Sequence, residues 1–258
     1  MDTTLKQQPL VSIMMTSYNR APLIGEAIRS VLNQNYSNWE LLVLDDASTD
    51  QTAEVVANFS HEDRRIVYSP APENLGITKN RNRGFTLAKG TYIAVLDCDD
   101  LWSDKDKLAK QVEFLESHRD HVVVGTNVSV INGEGSKTGE LSYALSDTEI
   151  RKNMLLRNQF THSAVLMRSA YLPLPKPYDE SGSISIWEDY DLFLRLGLVG
   201  QFANLPELMT SYRLHGNNIS IAQKKNGAVA HLKIIKKYRN DYPNYWLAFV
   251  KGVLRLFI

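Results

Sequence analysis

Three acidic residues near the middle of the chain, Asp97, Asp99 and Asp100, are separated only by Cys98 and could bind a metal ion. They directly follow residues 92–96, a short apolar run that predicts a buried strand. Carboxylates crowded at a strand end repel one another, so a cation that joins them stabilises the cluster. A hard divalent cation prefers oxygen ligands, typically one or two carboxylates together with the phosphates of a substrate. The cluster therefore predicts a metal-assisted nucleotide-diphosphate site; the alternative is a solvated acidic turn that caps the next helix.

Predicted strands and helices alternate through the first half of the chain. Short apolar, β-branched runs predict strands, and apolar residues spaced three and four apart predict helices. Ser48, with Gln51 three residues later, fits a capping box that opens the second helix. The predicted strands are 10–15, 39–44, 65–69, 91–96 and 121–124, and the predicted helices begin at Pro22 and Ser48 and cover 78–89 and 105–118. This alternation predicts an α/β fold with a parallel, doubly wound sheet.

Polar, chemically useful residues follow three of these strands. Residues 16–19 follow the first strand, Asp45 and Asp46 follow the second, and the acidic cluster follows the strand at 91–96. Ligands of such sheets bind beyond the carboxyl ends of the strands, which lie along one edge. The sequence therefore predicts that the three groups meet in one site.

The second half of the chain is less regular. We expect a polar turn at 132–136, a helix at 148–156, a strand at 161–167 and another helix at 192–198. The chain is therefore divided into a main domain, residues 1–220, and a cationic, amphipathic C-terminal tail, residues 221–258.

Composition limits the class of protein. The 258 residues include 29 Lys and Arg and 29 Asp and Glu, and this zero net charge argues against nucleic acid as a partner. The tail alone carries eight Lys and Arg against Asp241. A single cysteine, Cys98, excludes an intramolecular disulfide and a cysteine-based zinc site. The sequence has neither a run of about 18 apolar residues nor the apolar core of a signal peptide, so we expect a cytoplasmic protein that works in solution or at the inner face of the cell membrane.

Five motifs, taken in order, resemble family 2 of the glycosyltransferases. They are residues 11–20 (VSIMMTSYNR), residues 43–50 (VLDDASTD), Asn74-Leu75-Gly76 with Arg81-Asn82, the acidic cluster, and Trp187-Glu188-Asp189. The resemblance runs from about residue 10 to residue 220. It implies the GT-A fold, a Rossmann-like, mostly parallel sheet with flanking helices, here followed by a helical tail.

The resemblance also implies an activity. Family members invert the anomeric centre as they move a sugar from a nucleotide-sugar donor to an acceptor hydroxyl, with Mn²⁺ or Mg²⁺ as cofactor. The nucleotide would bind to residues 1–125 and the acceptor to residues 126–220.

Residues at the ends of the first two strands are the candidates for binding the donor nucleotide. The resemblance places Thr16 and Tyr18 beside the base, where Tyr18 can stack and Thr16 can hydrogen-bond; otherwise Tyr18 is a half-buried aromatic residue. Asp46 is the candidate that reads the base, because a carboxylate only accepts and so suits the N3–H of uracil or thymine, and also the N1–H and N2–H of guanine. The family favours uracil, and hence a UDP-sugar. Asp45 competes for this role: one of the pair faces the base while the other caps the backbone. Arg81 either meets a phosphate or the base edge or lies on a solvated helix face.

The acidic cluster supplies the metal ligands that the resemblance implies. Asp97 bonds to the ribose or reaches the metal through water, and Asp99 binds the metal. The metal bridges the phosphates and neutralises the charge that builds on the leaving nucleotide diphosphate. Asp100 is expected to cap the following turn. His215 could reach the metal or the diphosphate, but for it and for His162 a structural role is the more common one for a lone histidine.

An inverting transfer needs a general base that deprotonates the acceptor hydroxyl. The base must lie opposite the leaving group and so comes from another segment than the metal site. The family carries it at Asp189; Glu188 is the second candidate and could instead bind sugar hydroxyls. Trp187 either stacks on a sugar or packs in the core, and Asp191 could cap a helix.

The tail combines its cations with many aromatic and aliphatic residues between 242 and 258. Aromatic residues on one face and cations on another fit an interfacial helix on anionic lipid. The other interpretation is a helix that packs against the catalytic domain or a second subunit, which would form a homodimer. The expected acceptor is a saccharide or a lipid-linked molecule in surface polysaccharide or glycolipid synthesis.

Two other functions stay open. A nucleotidyltransferase that makes the nucleotide sugar usually has a glycine-rich loop with a basic residue after the first strand, but residues 16–20 contain no glycine. A catalytically inactive scaffold that binds a nucleotide sugar is the other alternative. The joint presence of Asp46, Asp97, Asp99 and Asp189 argues against such a scaffold.

Overall fold

The computed structural model describes residues 8–182, 184, 187–216 and 224–256. Within these residues one sheet contains nine strands. They are β1 (Val11–Ser17), β2 (Trp39–Asp45), β3 (Ile66–Pro70), β4 (Tyr92–Val95), β5 (Leu101–Trp102), β6 (His121–Ile131), β7 (Lys137–Leu141), β8 (Leu166–Arg168) and β9 (Gln201–Arg213).

Helices flank the sheet on both faces. In the described part of the chain they are α1 (Ala21–Leu32), α2 (Thr52–Glu62), α3 (Ile77–Leu87), α4 (Lys107–Ser117), α5 (Asp147–Met154), α6 (Glu188–Leu196), α7 (Lys224–Lys237) and α8 (Tyr245–Leu254), with short 3₁₀ turns at His162–Ala164 and Ser169–Tyr171.

The strand order is β3-β2-β1-β4-β8-β6-β9-β5, and β7 also pairs with β6. The first four strands are parallel. Strand β8 is antiparallel to both β4 and β6, whereas β6 and β9 are parallel and β5 is antiparallel to β9. The predicted parallel, doubly wound arrangement is therefore confirmed for the first half and gives way to a mixed sheet in the second.

Two apolar layers cover the two faces of this sheet. Side chains of a strand alternate between faces, so Ile13 and Met15 of β1 enter one layer and Met14 enters the other. Helices α1, α2 and α4 contribute to the layer of Ile13, and helices α3, α5, α6, α7 and α8 contribute to the layer of Met14. Burial on both faces explains why the predicted strands are continuous apolar runs.

Two segments of the second half differ from their predictions. Residues 161–167 are not a strand: His162–Ala164 forms a 3₁₀ turn and β8 begins at Leu166. The Ser163 hydroxyl accepts a hydrogen bond from Asp97 N at 3.1 Å and donates to Asp100 Oδ2 at 2.5 Å, which holds the turn against the acidic cluster. Helix α6 begins at Glu188, earlier than the expected residue 192.

The predicted capping box at Ser48 is wrong. Helix α2 begins at Thr52, and its first N–H groups are met by Asp50, whose Oδ1 accepts from Thr52 N at 3.0 Å. Asp50 Oδ2 also accepts from Ala21 N at 3.1 Å, at the start of α1. One carboxylate thus serves the first turns of two helices, while the Ser48 hydroxyl donates to Asp45.

Strand β9 was not predicted, because Pro206 and polar residues interrupt its apolar pattern. It pairs with β6 along nearly all of its length, with register shifts around Thr126 and Asn127. Its last residue, Arg213, donates from its backbone N to Asp100 Oδ1 at 2.8 Å. The strand therefore brings the C-terminal part of the chain to the acidic cluster.

The tail packs on the main domain through helix α6 and the residue before it. Trp187 Nε1 donates to Gly227 O at 2.8 Å, and Lys237 Nζ lies 2.6 Å from Asp191 Oδ1. Tyr242 OH donates to the carbonyl oxygen of Leu194 at 2.7 Å. The inner faces of α7 and α8 therefore pack against the main domain, which is the second interpretation of the tail. Among the described residues we find no helix with the length and apolarity that crossing a membrane requires.

Candidate functional site

A cleft of about 740 Å³ opens where β1, β2 and β4 end. Neighbouring parallel strands end at the same edge of a sheet, so their terminal residues meet there. The cleft is lined by eight of the nine predicted site residues: Thr16, Tyr18, Asp46, Arg81, Asp97, Asp99, Glu188 and Asp189. The ninth, His215, contacts Asp99 beside the cleft.

Both carboxylates after β2 bind backbone groups, which differs from the expected division of roles. Asp45 Oδ2 accepts from Ser48 N at 3.1 Å and from Tyr68 OH at 2.9 Å. Asp46 faces the cleft, but its Oδ1 and Oδ2 accept from Leu75 N at 2.8 Å and Gly76 N at 3.0 Å. A carboxylate has about four acceptor positions, so Asp46 keeps lone pairs for a ligand while it anchors the loop before α3.

The wall beside Asp46 comes from the end of β1. Tyr18 is 46% exposed, and Thr16 is half-buried. Asn19, with a positive φ of 52°, accepts from Thr49 N on its Oδ1 at 2.8 Å and donates from its own N to the Ser48 hydroxyl at 2.8 Å. The motif residues behind the cleft therefore tie the ends of β1 and β2 together and hold Tyr18 at the opening.

Arg81, on helix α3, joins the acidic cluster to the Glu188 motif. Its Nη2 lies 2.7 Å from Asp97 Oδ1 and its Nη1 lies 2.7 Å from Glu188 Oε1. The guanidinium is nearly buried, and although burial opposes its charge, the two carboxylates raise its pKa above the usual range. Arg81 therefore does not lie on a solvated helix face. Its guanidinium is paired with two carboxylates and is not available to a phosphate alone. Its Nε and Glu188 Oε2 are buried and lack a hydrogen-bond partner among the described residues.

His162 contacts the other oxygen of Asp97. Its Nδ1 lies 3.4 Å from Asp97 Oδ2, and its Nε2 lies 2.8 Å from Tyr178 OH. Burial opposes ionisation of Asp97, but Arg81 and His162 outweigh burial and hold the pKa of this carboxyl well below its usual range. Asp97 is therefore negatively charged, and each of its two carboxylate oxygens already has a partner.

The end of β9 holds the rest of the acidic cluster. Arg213 Nε donates to Asp99 O at 2.9 Å, and Asp100 accepts from Arg213 N and from Ser163. Asp100 therefore does not cap the following turn as predicted; it is 1% exposed and joins three segments. Burial, and then Asp99 and Asp97, raise its pKa well above the usual range.

Asp99 and His215 are the side chains that could hold a divalent cation. His215 Nε2 lies 2.9 Å from Asp99 Oδ2, so a carboxylate and an imidazole meet at one point. Among the described residues there is no group of three or more His, Cys, Asp or Glu side chains arranged to hold a metal. The chain would then supply one or two ligands, and phosphate and water oxygens the others, which is the usual arrangement for a metal bound with a nucleotide.

Glu188 and Asp189 occupy the first turn of α6, and both line the cleft. Asp189 Oδ1 accepts from Tyr190 N at 2.7 Å. Burial and the neighbouring Glu188 raise the pKa of Asp189, against the opposing effect of His162 and Arg81. Glu188 is 4% exposed and paired with Arg81, whereas Asp189 is half-buried.

The side chains that line the cleft also include Leu141, Tyr143, Thr161 and Tyr212. Tyr143 OH and Thr161 Oγ1 are 2.6 Å apart. Sequence reasoning missed these residues because no periodicity or motif marks them.

Trp187 does not line the cleft. Its ring packs at 5.3 Å from the His231 ring and 5.9 Å from the Tyr190 ring, between helices α6 and α7. Of the two roles considered for Trp187, core packing is the observed one.

Comparisons of sequence identify the family. The profile described as "Glycosyl transferase family 2" matches residues 12–172. A relative from Bacillus subtilis, named "Putative teichuronic acid biosynthesis glycosyltransferase TuaG", is 31% identical over 218 residues, which cover 83% of this chain and 82% of the relative. Neither match is to a nucleotidyltransferase.

Comparisons of structure agree on the fold. S. aureus TarS 1–349 in complex with UDP-GlcNAc superposes with a TM-score of 0.75 at 19% identity, over 96% of this chain and 72% of the other. The mannosyltransferase PcManGT from Pyrobaculum calidifontis, in complex with GDP-Man and Mn²⁺, gives a TM-score of 0.70 at 18% identity, over 97% of this chain and 70% of the other. The predicted GT-A fold is confirmed, and the chain belongs to family 2 of the glycosyltransferases.

Proposed function

We propose that this glycosyltransferase is an inverting, divalent-metal-dependent enzyme that takes a sugar from a UDP-sugar and adds it to a hydroxyl group of a saccharide or lipid-linked acceptor. Surface polysaccharide or glycolipid synthesis is the proposed setting. The name of the TuaG relative, which refers to teichuronic acid biosynthesis, supports this setting.

One observation carries the proposal. Asp99 and Asp189 come from distant segments, yet both line one cleft together with Asp46 and Tyr18. A metal-bound leaving group and a base on the opposite side are the two requirements of a single inverting displacement. The cleft offers a carboxylate for each requirement.

Asp189 is the proposed base. As the acceptor oxygen forms its bond to the anomeric carbon, Asp189 takes the hydroxyl proton, and the electron pair of the breaking C–O bond leaves on the diphosphate. The raised pKa of Asp189 makes its carboxylate a better proton acceptor than an ordinary aspartate. Glu188 is the less suitable candidate, because its Oε1 is paired with Arg81.

Asp99 and His215 would hold the metal, and Asp97 would assist them or bond to the ribose. A divalent cation at this point would neutralise the charge that builds on the departing diphosphate. Arg81 fixes Asp97 in place and adds a permanent positive charge beside it. The Mn²⁺ named with PcManGT supports a divalent cation.

Asp46 and Tyr18 are the residues that we propose contact the base of the nucleotide. The free lone pairs of Asp46 can accept the N3–H of uracil, and the exposed ring of Tyr18 can stack on the base. The neighbours named above bind UDP-GlcNAc in one case and GDP-Man in the other. We therefore propose uracil as the nucleotide base, because the family resemblance and Asp46 both favour it. Guanine is the alternative nucleotide base that an experiment must exclude.

Thermal unfolding with UDP, GDP, dTDP and CDP, each with and without Mn²⁺, tests the donor site. A ligand at about 100 times its Kd should stabilise the fold by about 2.7 kcal/mol. We expect the largest shift with UDP and Mn²⁺, and its loss in Asp99→Asn but not in Asp120→Asn, an exposed aspartate outside the cleft.

A product assay completes the test. Incubation with radiolabelled UDP-sugars and saccharide acceptors should give a transferred sugar with inverted configuration by NMR. Binding of UDP without any transfer would favour the inactive scaffold, and no shift with any nucleotide would contradict the proposed donor site.

A further inference from the structure

We infer that the outer face of helix α8 docks the protein on an anionic lipid bilayer. This face consists of Trp246, Leu247, Val250 and Leu254, which are 74%, 50%, 53% and 57% exposed. A helix that is apolar on nearly all sides is normally covered. The inference concerns the tail alone and does not depend on the proposed donor chemistry.

The four side chains form one continuous strip. With about 100° between successive residues of a helix, they fall within an arc of about 100°. Lys251 and Arg255 follow next around the helix, and both are exposed. An apolar strip with cations along one border is the pattern of a helix that lies in the plane of a membrane surface.

The opposite face of α8 explains why the strip stays outside. Ala248 and Gly252 are buried against α7, and a Cβ at Gly252 would meet Leu232 Cδ2 at 2.6 Å. A side chain at position 252 would require Leu232 to shift. The inner face of the helix is therefore closely packed, and its apolar strip is left on the outside.

The charge of the tail favours a lipid surface as the partner of the apolar strip on α8. The tail carries eight Lys and Arg against one Asp, a net charge of +7, and because the whole chain is neutral, residues 1–220 carry −7. A second copy docked face to face would bring Lys251 and Arg255 of both copies together, which like charges oppose. An anionic bilayer instead attracts the cationic border and solvates the apolar strip, with Trp246 at the level of the headgroups.

Vesicle binding of the full chain tests the inference. Sedimentation with phosphatidylcholine vesicles is compared with sedimentation with vesicles that also contain about 30% phosphatidylglycerol. Tryptophan fluorescence gives a second readout, because Trp39 and Trp102 are 2% and 4% exposed and Trp187 is partly buried, so that a blue shift reports mainly on Trp246. We expect binding and a blue shift with the anionic vesicles, and weaker binding in about 0.5 M salt.

The variants separate the apolar and the charged contributions. Trp246→Ser with Val250→Ser should lower the partition coefficient by about tenfold or more. Lys251→Gln should lower it by about fivefold on anionic vesicles and leave the weak binding to phosphatidylcholine unchanged. Val67→Thr, at a 43% exposed position on the edge strand β3, is the matched control and should bind like the wild type.

Three outcomes would overturn the inference. Absence of sedimentation and of a blue shift with anionic vesicles is the first. Equal binding by the wild type and the Trp246→Ser, Val250→Ser variant is the second. The third is a concentration-dependent dimer, seen by analytical ultracentrifugation and abolished by the same variant, in a protein that does not bind vesicles; a second copy would then be the occupant.

Discussion

The Nε2 atom of His215 lies 2.9 Å from Oδ2 of Asp99, although 116 residues separate the two in the sequence. The contact exists because β9 runs beside β6 and β5 and ends at the acidic cluster, where Arg213 is bonded to Asp99 and Asp100. A residue from beyond the last strand therefore completes a pair that the proposed cation can use.

We predict that His215→Ala weakens Mn²⁺-dependent UDP binding by about 10- to 100-fold, because it removes a ligand or the partner that orients Asp99. Isothermal titration calorimetry with and without Mn²⁺ measures the effect. His61→Ala, at an exposed position on α2, is the control. If the loss is equal in the presence and absence of Mn²⁺, His215 has a structural role only.

Asp189→Asn should reduce kcat by about two to four orders of magnitude, because an amide cannot take the proton from the hydroxyl group of the acceptor substrate. The Kd for UDP with Mn²⁺ should stay unchanged, since Asp189 is not one of the proposed nucleotide or metal contacts. Steady-state kinetics and calorimetry give both quantities. An unchanged kcat would exclude Asp189 as the base.

Glu188→Gln should affect donor binding more than kcat, the opposite of what we expect for Asp189→Asn. Glu188 holds Arg81, and Arg81 holds Asp97, so we expect the KM for the donor to rise by about tenfold or more while kcat falls less than in Asp189→Asn. A loss of kcat as large as that of Asp189→Asn, with KM unchanged, would instead assign Glu188 as the base.

Arg81→Met should lower the free energy of unfolding by about 3 kcal/mol, because it leaves the buried carboxylate of Glu188 and the half-buried carboxylate of Asp97 without their cation. Urea unfolding followed by circular dichroism measures the change. Lys79→Met, an exposed position on the same helix, should change stability by less than about 0.5 kcal/mol. Equal stability of the two variants would show that the Arg81 pairs add nothing to the fold.

His231 should make the fold sensitive to acid. Burial, and then Arg255, lower the pKa of His231 to about 4, from 6.5. The unfolded chain therefore binds a proton that the folded chain does not between these two values, so stability is complete above pH 6.5 and is lost as the pH falls toward 4. The loss is roughly 3 kcal/mol at most.

The variant His231→Phe keeps a ring between Trp187 and Tyr190 and cannot be protonated. Urea unfolding at pH 7 and at about pH 4.5 should show a smaller loss in this variant than in the wild type, with carboxylate effects common to both. His61→Phe, on the protein surface, should behave like the wild type. An equal loss in wild type and His231→Phe would contradict the assignment.

The first half of the site could be predicted because it is local. Tyr18, Asp46, Asp97 and Asp99 each follow a strand directly, and parallel strands end at one edge of a sheet. Hydrophobic runs and the residues that follow them were therefore enough to bring these side chains together. The same reasoning did not predict that both oxygens of Asp46 accept from the loop at Leu75 and Gly76, because that loop lies 29 and 30 residues further along.

The other contacts were decided by the tertiary structure. Arg81 could equally have been a solvated helix residue, but it lies against Asp97 once α3 packs on β1 and β2. His162 reaches the same carboxylate because its 3₁₀ turn packs beside β4. Asp100 was expected to cap a turn, yet β9 gave it Arg213 as a partner. These pairs join residues far apart in sequence, so no periodicity or spacing encodes them.

The sequence by itself determined the family, the alternation of strands and helices, and the acidic strand ends that line the cleft. Only the tertiary structure decided which face of the tail is buried and which is exposed, because Trp187, Asp191 and Leu194 must first present partners to α7 and the segment after it. The physical reason is range: strand and helix patterns arise from neighbours along the chain, whereas charge pairing and burial arise from neighbours in space.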